Sequence, residues 1–352
     1  MLNSLYQKAI TKRGSIKEDE INNDVESVIS DKWENLFFDD RPEEFIFAAG
    51  DGSFNKKKFL TFNFCAVGAE SIIYDDKVKI IDDSDIFKIS HVSFLDELLS
   101  NYMSIFELKC ALKAIEQYDV DYYMLDGSIL GDLQNPVPKG SQRPKNLTDS
   151  IDETLLSLFE MKLDKNRDGL ICQEIRRMYF PDVKNMKEEY NLHLASIEKL
   201  IFLYRLLNNN KKVIAISKTS SDNELCEWNI PDIAFFDKFT KGYQGISRIY
   251  YKQVSKNSYF PYFGNFFKNI DFTIFYVRLE KNKNVLKVEL PYRASKEEVI
   301  DIIEKIKKLS VQGYPYLLNK AHNDVVITDR NIKELLKIAK IYETTNREVM
   351  SW

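Results

Sequence analysis

The sequence predicts an α/β protein built on a mixed β-sheet, and three observations support this class. Short apolar segments that end at turn residues alternate with longer amphipathic segments, as strands and helices do in such folds. The composition, with 44% hydrophobic and 30% charged residues, is that of a folded globular chain. The 352 residues contain no fixed-period repeat and no long linker, so residues 1–352 are predicted to form one domain.

The first half of the chain is predicted to begin the sheet. Its amphipathic segments predict two helices, and its apolar runs predict strands on both sides of the second helix. The predicted elements are a helix over residues 17–38, a strand over 45–50, antiparallel strands over 57–81 with a break at Gly68, a helix over 93–117 and a strand over 120–125.

The second half of the chain is predicted to complete the sheet after a helical region. Residues 133–150 are basic and rich in proline, which predicts an exposed loop, and residues 151–208 are predicted to be a helical insertion. The later elements are a buried strand over 211–218, a hairpin over 271–292, a helix over 295–309 and an amphipathic helix over 329–346.

Composition disfavours several classes of protein. The four cysteines are scattered without a C-x-x-C pair, which argues against a zinc cluster and against a disulfide framework. The net charge of -4 provides no overall field that would attract nucleic acid. The sequence has no apolar run of about 18 residues and no signal-peptide core, so we expect a cytoplasmic protein without membrane association.

The tripeptide Asp-Gly-Ser follows an apolar run twice, at Asp51 and at Asp126. A strand that ends on a carboxylate places it at the carboxyl edge of the sheet, where α/β active sites gather. Each copy alone is also compatible with an ordinary Asp-Gly turn. Two carboxylates side by side repel each other unless a cation lies between them, so a paired site would imply a divalent metal.

Three further residues are candidates for the same chemistry. Glu107 lies at the edge of the apolar face of the 93–117 helix, either as a third carboxylate or as a solvated surface residue. Lys218 ends a buried strand, where it would neutralise a phosphate or simply reach solvent. His322 precedes the strand-like segment "VVIT" in a predicted turn, and is a candidate metal ligand or proton donor. Three carboxylates without cysteine suit Mg²⁺ or Mn²⁺ better than zinc.

Residues 164–175 partly match an EF-hand loop. The match includes Asp164, Asn166, Asp168 and Gly169, but the twelfth position, which needs a bidentate acid, is Ile175. Because EF-hands usually occur in pairs and the sequence has no second copy, we interpret the segment as a helix-capping turn that does not bind calcium.

Taken in order, these motifs resemble the NurA family of DNA nucleases. The resemblance depends on Asp51-Gly52-Ser53, the helix that carries Glu107, "LDGS" with Asp126, "ISKTS" with Lys218, and "GYPYLLNKAHNDVVIT" with His322. The motifs span most of the chain, whereas residues 151–208 and 239–267 contribute none.

The resemblance implies an RNase H-like core and a manganese-dependent nuclease that acts on single- and double-stranded DNA. It also implies a homodimer that works with a HerA-type hexameric translocase in resecting the ends of double-strand breaks. By position, Asp51, Glu107, Asp126 and His322 would hold Mn²⁺, with Mg²⁺ as an alternative, and Lys218 would contact the scissile phosphate or its neighbour. Asp324 is a weaker candidate beside the histidine.

A nuclease with this negative charge would bind DNA through local basic patches. The candidate patches are Lys56 to Lys58, the loop with Lys139, Arg143 and Lys145, and the segment "RRMYF" that begins at Arg176. Two other functions remain open at the level of sequence: a catalytically silent dimeric adaptor of a DNA translocase, and a metal-dependent phosphoesterase of another family.

Overall fold

The computed structural model describes residues 2–16, 25–39, 45–75, 77–134, 136, 149–165, 169–179, 189–208 and 212–341. The helices are α1 (Asn3–Thr11), α2 (Arg13–Ile16), α3 (Val25–Lys32), α4 (Leu95–Tyr118), α5 (Ile129–Gln134), α6 (Asp149–Lys165), α7 (Ile171–Tyr179), α8 (Glu189–Leu207), α9 (Asp232–Phe239), α10 (Gly264–Lys268), α11 (Lys296–Lys308), α12 (Tyr316–Val325) and α13 (Asp329–Ile338). The strands are β1 (Trp33–Asn35), β2 (Phe47–Lys58), β3 (Asn63–Asp75), β4 (Lys77–Ile89), β5 (Tyr122–Asp126), β6 (Val213–Ser217), β7 (Gly245–Ser247), β8 (Tyr250–Lys252), β9 (Phe272–Arg278), β10 (Leu286–Leu290), β11 (Ser310–Val311) and β12 (Tyr314–Pro315).

Ten of these strands form one mixed sheet, so the predicted fold class is confirmed. The order across the sheet is β1-β7-β9-β10-β6-β5-β2-β3-β4, with β8 paired to β9, and β11 and β12 form a separate hairpin. At the centre, β5 runs parallel to both β2 and β6. The flanking pairs, β2 with β3 and β6 with β10, are antiparallel. The carboxyl ends of β5 and β6 therefore lie in the middle of the sheet, beside the parallel strand β2.

Helices cover both faces of the sheet because its central strands are apolar on both sides, a pattern expected for buried parallel strands. Apolar side chains of α4, α6, α7 and α8 share a core with one face. Those of α11 and α12 share a second core with the other face. The metal-ligand candidates on β2 and β5 consequently lie between helices from distant parts of the chain.

The strand predicted over 45–50 is longer than the sequence indicated. β2 continues through Asp51-Gly52-Ser53 to Lys58 and pairs with β3 along its whole length, from Phe47 opposite Tyr74 to Lys58 opposite Asn63. The predicted break at Gly68 is also wrong, since Gly68 is paired on both sides, with Ser53 and with Ser84. Glycines fit inside this pair of strands because neighbouring side chains fill the space above them: Glu107 and Met103 lie over Gly52, and Ser84 lies beside Gly68.

Three further boundaries differ from prediction. The helix predicted over 17–38 ends at Lys32, because Trp33–Asn35 pair with β7, and residues 17–24 lie outside the described residues. "VVIT" is not a strand, and His322 lies within α12 and not in a turn. The last helix ends at Ile338, and the remainder of the predicted 329–346 segment beyond residue 341 lies outside the described residues.

Helices α6 to α8 lie between β5 and β6 in the sequence. A buried ion pair joins them to α4, which packs on the sheet. Lys109 of α4 lies 3.1 Å from Glu198 of α8, and their side chains are 1% and 0% exposed. Glu198 also accepts hydrogen bonds from the Ile171 and Cys172 amides at the start of α7, at 3.1 and 2.7 Å. Glu198 thus caps the start of α7, whereas residues 166–168 of the EF-hand-like segment lie outside the described part of the chain.

Two further sequence-based points concern the cysteines and the membrane. All four cysteines are buried and unpaired, as expected for small core residues. Within the described ranges, no helix combines the length and the apolar character that crossing a membrane requires.

Candidate metal centre

Asp51, Asp126 and His322 converge at the centre of the sheet. Asp126 is the last residue of β5, and the adjacent parallel strand β2 brings Asp51 beside it, since Gly50 is opposite Leu125 in the register. His322 comes from α12, which packs across β2. One potential ligand atom from each of the three residues lies within 4.8 Å of those of the other two. Two carboxylates and one imidazole at such separations form a set that fits one divalent ion.

The hydrogen bonds of Asp51 fix this arrangement. His322 Nδ1 lies 2.7 Å from Asp51 Oδ2, and the Gly52 amide donates to Asp51 Oδ1 at 2.8 Å. The side chain of Asp51 is 13% exposed and that of His322 is 53% exposed. An imidazole held through Nδ1 keeps a defined ring orientation and presents Nε2 elsewhere. The histidine is therefore both anchored and reachable from solvent.

Glu107 approaches the same site from the opposite face of the sheet. A Cβ atom at Gly52 would lie 2.6 Å from Glu107 Oε1 and 2.6 Å from Met103 Cγ, so α4 packs into the space that the glycine leaves. Burial and, next, the charge of Asp51 raise the pKa of Glu107 from 4.5 to about 8. Glu107 lies beside the Asp51–Asp126–His322 group and not within it. Without a cation, its carboxyl group is mainly protonated at neutral pH.

The two Asp-Gly-Ser motifs have different structures, although their sequences are identical. Gly52 sits inside a strand and admits Glu107, whereas Gly127 has a φ of 110° and turns the chain out of β5 into α5. Ser128 then caps α5 through the Gly131 amide and donates to the buried Glu289 of β10, at 2.9 and 2.6 Å. Only the second motif is the strand-ending turn that the sequence predicted.

Lys218 and Tyr314 border the second aspartate. Lys218 directly follows β6, and its Nζ lies 3.4 Å from Asp126 Oδ2 and 4.3 Å from the centre of the Tyr314 ring. The buried Tyr314 hydroxyl makes no hydrogen bond of normal geometry among the described residues. Burial and, after it, the charges of Asp126 and Asp51 raise the pKa of Tyr314 well above its usual value. Tyr314 therefore stays neutral and adds no negative charge beside the ammonium of Lys218.

A cavity of 360 Å³ opens onto the metal-ligand candidates and includes two residues that sequence reasoning missed. Asp132 of α5 and Lys199 of α8 line it, with Lys199 Nζ 2.8 Å from Asp132 Oδ2. Asp132 follows Asp126 by six residues in a short helix, a spacing from which its proximity could have been predicted. Lys199 lies in the helical region, where the sequence has no motif, so nothing in the sequence indicated its position.

The other predicted residues take different places. Asp324 forms an ion pair with Lys320 one turn earlier in α12 and is not part of the metal-ligand group. In the first candidate DNA patch, Lys56 is paired with Asp96. The loop with Lys139, Arg143 and Lys145 lies outside the described residues. Arg176 and Arg177 lie in α7 and line a cavity together with Asp85.

The fold and this site define a class: a mixed-sheet α/β protein with a carboxylate–histidine group suited to a divalent cation. The family model for the NurA domain matches residues 45–327, and the chain belongs to the NurA family. This match includes all five of the predicted site residues. It begins two residues before β2 and ends just after α12.

Named relatives match the chain over nearly its full length. The chain is 30% identical to the probable DNA double-strand break repair nuclease NurA of Methanocaldococcus jannaschii, covering 95% of this chain and 88% of the relative. It is 27% identical to the DNA double-strand break repair nuclease NurA of Saccharolobus solfataricus, covering 96% and 95%.

Solved structures share the fold. The NurA nuclease from Sulfolobus solfataricus superposes with a TM-score of 0.74 at 24% identity, covering 97% of each chain. A NurA structure determined with manganese gives a TM-score of 0.69 at 17% identity, covering 97% of this chain and 98% of the other. These likenesses establish that the mixed sheet with flanking helices is the architecture of NurA structures.

Proposed function

We propose that this protein is a metal-dependent DNA nuclease of the NurA type. The observation that carries the proposal is the group of ligand atoms from Asp51, Asp126 and His322, all within 4.8 Å of one another at the centre of the sheet. Membership of a family whose named relatives are DNA double-strand break repair nucleases supports DNA as the substrate.

The site residues divide the work of phosphodiester hydrolysis. Asp51, Asp126 and His322 would hold the divalent ion, and Glu107 would join them after losing its proton. Such an ion, when bound, supplies positive charge to a phosphate oxygen and lowers the pKa of bound water. Lys218 extends a half-exposed ammonium beside Asp126, where it is placed to pair with a phosphate of the substrate. Glu107 has a pKa of about 8 because of burial and the charge of Asp51, and the positive charge of a bound ion would favour its ionised form.

Manganese is the proposed ion, with magnesium as the alternative. One imidazole and two or three carboxylates can bind either ion, but imidazole nitrogen is a better ligand for a transition metal than for Mg²⁺, which prefers oxygen. A NurA structure solved with dAMP and manganese supports manganese for the fold family. The histidine of the site is the residue that favours manganese.

The finer points of the family resemblance are also proposals. An RNase H-like core is supported by β4-β3-β2-β5-β6, in which three antiparallel strands continue into two parallel ones. We propose residues 1–352 as one NurA domain with a helical insertion at about 151–208. We further propose cytoplasmic action on single- and double-stranded DNA, as a homodimer with a HerA-type translocase, in double-strand-break end resection.

The test is cleavage of labelled single- and double-stranded DNA by the purified chain with Mn²⁺, Mg²⁺ or EDTA. We expect cleavage with Mn²⁺, none with EDTA, and loss of cleavage in Asp51→Asn and Asp126→Asn. Asp119→Asn is the matched control, since Asp119 lies on the surface at the end of α4 with a 99% exposed side chain. Removing the aspartate charge there should leave cleavage unchanged.

Two results would replace the nuclease proposal. A wild-type chain that binds DNA and a translocase but never cleaves DNA with any divalent ion would be an adaptor. A chain that hydrolyses small phosphodiesters with Mn²⁺ but leaves DNA intact would be a phosphoesterase of another specificity.

A further inference from the structure

A groove of 640 Å³ begins beside the metal centre, on the side of Lys218 and Tyr314. Its walls come from three separate segments: the end of β6, the turn that joins β9 to β10, and the β11–β12 hairpin with the start of α12. Lys218 and Tyr314 belong both to this groove and to the surroundings of Asp126. A molecule bound at the metal centre can therefore extend into the groove along a continuous surface.

The charge of the groove is opposite to that of the metal centre. Among its lining residues are Lys218 and Lys283, and no carboxylate. The cavity at the metal centre is lined by four carboxylates, those of Asp51, Glu107, Asp126 and Asp132. In a protein with a net charge of -4, a wall with lysines and no acid next to such a centre suits a polyanion.

The remaining lining groups suit nucleobases better than phosphate alone. Tyr316 presents a 48% exposed ring at the start of α12. The side-chain amides of Asn284, Gln312 and Asn319 line the same groove and provide both donors and acceptors. An exposed aromatic ring, lysines and amides in one groove are the combination with which proteins bind single-stranded nucleic acid.

The groove is held in shape by contacts between its walls. The β11–β12 hairpin is paired at Val311 and Tyr314, and the Tyr316 amide donates to the Leu309 carbonyl at 2.8 Å. On the other side, the side chain of Lys283 packs against Gly313 so closely that a Cβ atom there would lie 2.6 Å from Lys283 Cβ. The groove is therefore formed before a ligand arrives, which lowers the entropic cost of binding.

We propose that this groove binds a single-stranded segment of the DNA substrate on one side of the cleaved phosphodiester. Tyr316 stacks on a base, Lys283 pairs with a backbone phosphate, and Lys218 joins the groove to the metal centre. A base must leave the duplex to stack on Tyr316, so the groove selects an unpaired strand. This inference rests on the proposed nuclease function and extends it by stating where the DNA strand lies next to the metal centre.

The test is DNA binding in EDTA, where cleavage cannot occur. Fluorescence anisotropy with a labelled oligo-dT strand and with a blunt duplex would compare wild type with Tyr316→Ala and Lys283→Ala. We expect Tyr316→Ala to weaken binding of oligo-dT roughly tenfold, in the range for loss of one base–aromatic stack, and the duplex less. Lys283→Ala should reduce the salt dependence of oligo-dT binding by a slope of about 0.7.

Matched controls are Tyr259→Ala and Lys333→Ala, which remove an exposed tyrosine and an exposed lysine that do not line the groove. Circular dichroism on every variant would identify misfolding. Photo-crosslinking with 5-iododeoxyuridine gives a second readout in the wild-type protein. We expect the crosslinked peptide to contain Tyr316.

The outcomes separate this inference from the proposed function. If wild type cleaves DNA but both groove variants bind like wild type and the crosslink maps elsewhere, the groove proposal is wrong and the nuclease proposal stands. If wild type never cleaves, yet Tyr316→Ala weakens binding and the crosslink maps to Tyr316, the groove is a binding site for single-stranded DNA, and the nuclease proposal fails together with the placement of the groove beside a cleaved phosphodiester. Equal losses on oligo-dT and duplex would overturn the selection of an unpaired strand.

Discussion

His322 Nδ1 lies 2.7 Å from Asp51 Oδ2, although the two residues are 271 positions apart in the chain. This contact joins helix α12 to the middle of β2 and completes the group that includes Asp126. The contact makes His322 the most informative residue to change first.

His322→Ala should weaken binding of Mn²⁺ by more than about tenfold, since even outer-shell partners of a metal contribute tenfold or more to affinity. Isothermal titration calorimetry would measure this, and thermal unfolding with and without Mn²⁺ would show the smaller stabilisation that weaker binding gives. Asn323→Ala on the same helix is the control. Unchanged Mn²⁺ affinity together with lost cleavage would make His322 a proton donor and not a ligand.

Gly52→Ala should displace Glu107, because the added Cβ would lie 2.6 Å from both Glu107 Oε1 and Met103 Cγ. We expect a loss of about 1–3 kcal/mol in the free energy of unfolding, the usual cost of overpacking, and a larger loss of cleavage. Urea unfolding and initial cleavage rates would measure the two effects. The double variant Gly52→Ala/Met103→Ala should recover part of the stability but not the cleavage if Glu107 remains displaced.

The pKa of Glu107 predicts how the metal-free protein responds to pH. Because the folded-state value of about 8 lies above the ordinary 4.5, the stabilisation is complete below about pH 4.5 and is lost as pH rises to about 8. Urea unfolding in EDTA should therefore give a lower free energy at pH 9 than at pH 6, by several kcal/mol at most. Glu107→Gln should flatten this slope, whereas Glu334→Gln, on the exposed side of α13, should not. A wild-type stability independent of pH across this range would contradict the raised pKa.

The buried Lys109–Glu198 pair predicts that α6–α8 are not an independent appendage. Glu198→Ala removes the carboxylate that balances the buried Lys109 charge and that accepts from the Ile171 and Cys172 amides. Lys109 keeps its hydrogen bond to the Gly169 carbonyl, but its charge is no longer neutralised, which should lower the free energy of unfolding by about 3–5 kcal/mol. Glu334→Ala, which removes the exposed partner of Arg330, should cost less than about 1 kcal/mol. Equal effects in urea unfolding would show that the buried pair does not hold the helices to α4.

Local pattern was sufficient to predict α4, β5, β6 and the β9–β10 hairpin, because each of these combines a clear period with a turn residue at its end. It was not sufficient for β2. The segment Gly50-Asp51-Gly52-Ser53 has the composition of a turn, and its pairing with β3 decides that it remains a strand. Similarly, the helical pattern through Trp33 gives way to a pairing with Ser247, more than 200 residues away.

The residues of the candidate site also differ in whether local sequence pattern was sufficient to predict their positions. The sequence predicted all three members of the Asp51–Asp126–His322 group, since an acid directly after an apolar run and a rare histidine are local signals. It did not predict that the missing side chain of Gly52 makes room for Glu107, or that Lys199 lines the cavity, because both facts depend on how helices pack on the sheet. The groove beside Lys218 could not be predicted from the sequence either, since its walls come from three distant segments.

The separation of Asp51 from His322 has a consequence during protein synthesis. A ribosome that has made both aspartates must still translate the helical region, the β9–β10 hairpin and α11 before it reaches α12. A nascent or prematurely terminated chain therefore carries two thirds of the ligand group without the imidazole that completes it. Under the proposed nuclease function, we expect fragments that end before α12 to cleave DNA poorly, because they lack one of the three proposed metal ligands.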